Sequence, residues 1–114
     1  MKLYRVIIVK RLHVTGMALL PFILLKHERY RSNPVVMNHE RIHLRQQAEL
    51  LWLPFMLWYL SHYAINRLRG QGHDTAYRNI VFEREAYALE SDLHYLKHRS
   101  PFAFLKFIRQ RPTS

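Results

Sequence analysis

A chain of 114 residues with 49% apolar and 13% aromatic side chains has the composition of one small folded domain rather than a disordered segment. It contains no cysteine, which excludes a disulfide scaffold and thiolate-held zinc and is compatible with a reducing cytoplasm. The net charge of +10 points toward an anionic partner, nucleic acid or an acidic membrane leaflet, although the basic residues are spread from Lys2 to Arg111 without forming a block.

Residues 2–13 alternate basic and apolar positions around Val6-Ile7-Ile8-Val9, as a strand or a short surface helix would. Lys10-Arg11 interrupts that run at once, so it does not read as a secretory signal. Met17 to Leu25 is a second apolar run, and Pro21 within it suggests an edge strand or extended segment. Ser32-Asn33-Pro34 has turn chemistry, and Pro34-Val35-Val36-Met37 then reads as a short strand feeding a helix capped by Asn38.

That helix carries His39-Glu40-Arg41-Ile42-His43. Residues four apart share a helix face, so His39 and His43 can direct two imidazoles at one ion. Zn²⁺ held this way leaves a coordination position open to water, and Glu40 can reach that water as general base. The bland alternative is an exposed basic helix that happens to carry two histidines.

The helix runs into Leu50–Leu60, an unbroken apolar stretch in which Pro54 should kink or break the backbone. It reads either as a buried central helix or as an interfacial membrane segment, with Trp52, Trp58, Tyr59 and Tyr63 followed by Arg67 and Arg69. No stretch reaches 18 clean apolar residues, so an ordinary spanning helix is not expected. Gly70 and Gly72 end the element.

Asp74 can cap a third helix running to about His98, with Phe82, Ala86, Leu89, Leu93 and Leu96 as its apolar stripe. Pro101 then opens a last short helix, Pro101 to Arg109, docked through Phe102, Leu105, Phe107 and Ile108. His94 and His98 are also four apart, but a solvated face explains them better than a second metal site. His13, His27, His62 and His73 stand alone. Tyr63, Tyr77 and Tyr87 are candidate oxyanion stabilisers, with packed aromatics as the default reading.

A third zinc ligand must come from elsewhere, and the third helix offers Glu83 and Glu85, with Glu90 more remote. Helix geometry alone puts Glu85 nearer the apolar stripe and leaves the choice open.

Val35-Val36-Met37-Asn38-His39-Glu40-Arg41-Ile42-His43-Leu44-Arg45-Gln46-Gln47, followed by Phe82-Glu83-Arg84-Glu85-Ala86-Tyr87, resembles the gluzincin-type zinc metallopeptidases. It looks most like their minimal, often membrane-associated branch: the HtpX-like, CAAX-prenyl-type and BlaR-type peptidases and small domains with His-Glu-x-x-His-x-x-Gln-Gln. The chain also resembles small proteins of Bacteroidetes-type bacteria in layout and length. The specific match covers about twenty residues. The resemblance implies a zincin-like helical core with a small N-terminal sheet, an α+β fold that is mostly α. It also implies Glu83 as the third ligand, from a Glu-x-x-Ala-Asp segment in which Tyr87 here replaces the Asp. A tyrosine hydroxyl could still donate to a ligand.

The leading expectation is therefore a single domain over residues 1–114 that hydrolyses peptide bonds. Zn²⁺ would be held by His39, His43 and Glu83, and Glu40 would act as base; a zincin-like protein with weak or lost activity is the degenerate form. So small a chain leaves little room for a substrate cleft, so a peptide or protein substrate would be met with the help of a partner, a membrane or an oligomer. The competing expectation is a non-enzymatic basic helical module for acidic membrane surface or nucleic acid. No nucleic-acid-binding motif supports the latter. The expected location is the cytoplasm, free or peripheral on the inner membrane.

Overall fold

A computed structural model describes residues 4–108, so Lys2 and Arg109, the outer limits of the first and last expected elements, lie outside it. Three short strands, β1 (Arg5–Ile8), β2 (Gly16–Leu19) and β3 (Phe22–Leu25), form a sheet in the order β1-β3-β2. β1 runs parallel to β3, with Arg5 opposite Phe22, and β2 runs antiparallel, with Gly16 opposite Leu25. The Met17–Leu25 run is thus a hairpin, and the strand after Pro21 is the central one. Pro21 is tolerated because it stands in the turn, where its missing N–H is not needed; its carbonyl accepts from Arg5 N at 2.9 Å.

A 3-10 turn (Glu28–Ser32) leads into α1 (Pro34–Leu50). The cap is Asn33, not Asn38: its Oδ1 accepts from Val35 N at 3.1 Å and Val36 N at 3.2 Å, with Pro34 as the first helical residue. Val35 to Met37 therefore form the first turn of the helix and not a strand. Asn38 is buried, and its amide donates to the carbonyls of Leu89, Glu90 and Asp92.

α2 (Trp52–Leu68) begins after a single residue, Leu51, whose φ of 67° breaks the chain direction. The break falls before Pro54, which sits in the first turn of α2, where a proline costs no intrahelical hydrogen bond. The expected third helix is three pieces, α3 (His73–Arg78), α4 (Val81–Leu89) and α5 (Tyr95–His98). Asp74 lies in the first turn of α3 but does not cap it. α4 starts afresh at Val81, whose amide donates to His62 Nδ1 at 3.0 Å, and ends where Asn38 takes its last carbonyls. Of the expected stripe, Phe82 and Ala86 are fully buried, whereas Leu93 lies beyond α4 and is exposed. The final element is a 3-10 turn (Ala103–Phe107) docked through Ala103, Phe104 and Phe107, with Phe102, Leu105 and Ile108 outward.

The architecture is α+β and mostly α. Phe82 centres the larger core, among Phe55, Ile80, Val81, Phe104 and Phe107, where full burial of one such ring contributes about 1.5–3 kcal/mol. A second cluster, Ala18, Ile23, Leu25 and Leu44, holds the sheet against α1. α1 thus lies between the sheet and α4, and the polar residues along it are buried on both sides.

Candidate metal centre

His39 and His43 project from α1 toward Glu83 on α4. His39 Nε2 lies 3.1 Å from Glu83 Oε1, His43 Nε2 lies 3.1 Å from Glu83 Oε2, and the two Nε2 atoms are 3.2 Å apart. All three residues are buried. The opposite ring nitrogens are engaged. His39 Nδ1–H donates to Glu90 Oε1 at 2.8 Å, and His43 Nδ1–H donates to Gln46 Oε1 at 2.8 Å. The orientation of Gln46 is set by its Nε2, which donates to the carbonyl of Phe82 and to Glu85 Oε1. With both Nδ1 positions engaged, each Nε2 is the ring nitrogen left to take a proton or a metal ion, and the two converge on a carboxylate.

Three acceptors facing one another in a buried space repel unless a cation joins them. A tetrahedral zinc with Zn–N near 2.0–2.1 Å separates its ligand atoms by about 3.3 Å, close to the spacing present. The donor set of two imidazoles and one carboxylate fits that ion. Electrostatics express the same deficit of positive charge. Burial disfavours a charged His43, yet the Glu83 carboxylate beside it outweighs burial and pushes the imidazole up to about 9. Burial likewise opposes ionisation of Glu83, but His43 and His39 hold it well below the usual carboxylate range. Tyr59 of α2 donates its hydroxyl to Glu83 Oε2 at 2.7 Å and fixes the carboxylate from behind.

Glu40 is buried on the sheet side of α1, where burial pushes its carboxyl up against the pull of His43 and His39. It lines two cavities. The larger, about 390 Å³, is walled by His13 to Gly16, His39, Tyr77 and Tyr87; the smaller, about 140 Å³, is mostly apolar, reaches His43 and Glu83, and includes Met17, Phe55 and Met56. Gly16 makes room for Glu40, because a Cβ there would stand 3.2 Å from Glu40 Oε2. The Gly16 backbone polar groups also point away from β3, since Thr15 takes the ladder bond from Lys26 N and successive residues alternate. Further along the same edge, Ala18 O and Leu20 N are both bonded to the Gln47 amide at 2.7 Å.

Glu85 is not brought to the cluster. It is held by Arg99, by the Tyr95 hydroxyl at 2.6 Å and by Gln46, and Arg99 also binds Glu49 at 2.8 Å. Glu90 stands outside the cluster and orients His39. Of the three candidate tyrosines, Tyr77 and Tyr87 line the larger cavity. Tyr77 also lines the smaller one, and its hydroxyl is pushed well up by burial and by Glu83. Tyr63 instead pairs with His73. His94 and His98 are exposed, with Asp92 3.5 Å from His98; His13, which stands alone in the sequence, borders the larger cavity.

Sequence reasoning missed Gln46, Tyr59 and the orienting role of Glu90. Gln46 had a signal, three residues after His43 on the same helix face; Tyr59, inside an apolar run, had none. Comparison of the chain with protein-family models, with curated proteins and with solved structures finds no match.

Proposed function

We propose that the protein is a zinc-dependent hydrolase of peptide bonds. The observation that carries this reading is the convergence of two imidazole nitrogens and the Glu83 carboxylate beside Glu40, which with His39 lines a cleft of about 390 Å³. His39, His43 and Glu83 would hold the ion. When bound, zinc lowers the pKa of water at its open position and polarises a carbonyl.

The chain's own residues do the rest. Glu40, its carboxyl pushed up by burial, takes the proton of the attacking water and passes it to the departing amine. Tyr77 stays protonated and offers a hydroxyl donor where both cavities meet. The outward-facing N–H and C=O of Gly16 can align a stretch of substrate backbone beside Glu40. The small apolar pocket takes a neighbouring apolar side chain. No helix among the described residues is long and apolar enough to cross a membrane.

Protein purified with added zinc should carry about one ion per chain. Glu40→Gln should keep that ion and lose peptide hydrolysis. Metal-free wild type, or undiminished turnover in Glu40→Gln, would refute the reading. Zinc without turnover on any peptide would leave a binding scaffold in place of an enzyme.

A further inference from the structure

We propose that the outer face of α2 seats the protein on an anionic lipid bilayer, an inference independent of the zinc site. Leu53, Leu57, Leu60 and Leu68 are 58%, 59%, 56% and 87% exposed, and with Ala64 they recur at i, i+4, i+7, i+11 and i+15. That spacing makes one stripe along the helix, about 180° from the buried Phe55 and Asn66. Trp52 and Leu51 extend the exposed apolar surface at the N-terminal end of α2. A lone exposed leucine needs no explanation, but four in register on a 17-residue helix form a face with no partner among the described residues.

The occupant follows from charge. The sequence has no acidic residue between Glu49 and Asp74, while Arg67 and Arg69 follow the stripe. Much of the chain's negative charge is withdrawn from the surface. Glu40, Glu83 and Glu85 are buried, and Glu49 is bound to Arg99. Among the described residues only Glu28, Asp74 and Asp92 are exposed acids, against 12 exposed lysines and arginines. The solvent-facing field is therefore almost unopposed cation. A second copy of the chain would bring two such fields together, and nucleic acid has no use for four leucines. An anionic bilayer satisfies both properties, with leucines in the acyl boundary and arginines among headgroups. At about 1.5 Å per residue α2 is about 25 Å long and would lie in the plane of the interface. Its inner face keeps Tyr59 on Glu83, so the docking face lies behind the candidate centre.

The test is flotation of the full chain with vesicles of phosphatidylcholine alone and of phosphatidylcholine mixed with phosphatidylglycerol. The wild type should float with the mixed vesicles at low salt and bind the neutral ones at least about tenfold more weakly. Leu57→Asp/Leu60→Asp, checked for an unchanged circular dichroism spectrum, should lower binding to mixed vesicles at least about tenfold, since two leucine contacts are worth more than the about 1.4 kcal/mol this represents. If that variant does not fold, Leu57→Gln/Leu60→Gln replaces it with the same expectation. Wild type that stays with the soluble fraction at low salt overturns the proposal, as does variant protein that binds as well as wild type. It is equally overturned if sedimentation shows a wild-type dimer that the variant dissolves, which would assign the face to a second copy.

Discussion

Glu83 and Glu85 stand two residues apart on α4, and the fold gives them separate tasks, so Glu85→Gln and Glu83→Gln should fail in different ways. Glu85 and Arg99 have no exposed side-chain surface, and the guanidinium reaches Glu85 through two nitrogens. Removing one charge of a buried pair costs about 3–5 kcal/mol, because the other is left without its counter-ion. Arg99 keeps Glu49 at 2.8 Å, which places the loss for Glu85→Gln near 3 kcal/mol. Unfolding entropy for a chain of this length is about 0.24 kcal/mol per kelvin, so the melting midpoint should fall by roughly 12 °C. Midpoints are compared in chelator, so that bound metal does not contribute, and zinc is counted by elemental analysis after purification in added zinc. Glu85→Gln should melt early and keep about one zinc; Glu83→Gln should carry none. A Glu85→Gln protein that melts within about 2 °C of wild type contradicts the ion-pair reasoning. Zinc retained by Glu83→Gln but lost from Glu85→Gln contradicts the ligand assignment.

Gln46→Leu removes the acceptor of His43 Nδ1–H and should weaken zinc binding about 10–100-fold in competition with a chromophoric chelator; unchanged affinity would show that Gln46 does not orient the ring. Gly16→Ala puts a methyl 3.2 Å from Glu40 Oε2 and Leu25 Cδ2, so zinc content should hold while hydrolysis falls about tenfold, and full turnover would count against Glu40 as the base. His62 must be neutral to accept from Val81 N, and burial, then Arg84 and Arg69, lower its pKa. The unfolded chain then binds the proton more readily than the folded one. Stability should therefore drop as pH falls below about 6.5, through the loss of a cap worth about 1 kcal/mol. His62→Gln should show a flatter decline in melting midpoint over this range, and parallel declines would refute the role.

The pairing of His39 with His43 could be read from the chain because it is local: four residues on one helix determine it. The choice between Glu83 and Glu85 could not be read the same way. A helical wheel measures distance from the stripe of α4 itself, whereas the candidate ligand is decided by which carboxylate comes level with His39 and His43: Glu83 does, and Glu85 meets α1 at Gln46 instead. The cap of α1 was within reach, since Asn33 followed by Pro34 is a cap and first-turn pair; the apolar Val35-Val36-Met37 drew the reading toward a strand. The end of α4 was not, because the group that takes its last carbonyls, Asn38, comes 51 residues earlier in the chain. Pro54 marked a break correctly in kind but three residues late, since a proline is accommodated just inside a helix start and the turn itself falls on Leu51.

The clasp between Gln47 and β2 bears on how this protein behaves at high concentration. A bare sheet edge is a template on which further chains can add, strand upon strand, into insoluble stacks. Here one side-chain amide imitates a neighbouring strand, holding Ala18 O and Leu20 N at 2.7 Å each, so an incoming strand would have to break both bonds before it could extend past Gly16. The opening that remains is about one residue wide, enough for brief contact and too short to seed a polymer. Gln47 thus keeps the β2 side of the sheet a terminus, and its loss would leave that side open to a further strand.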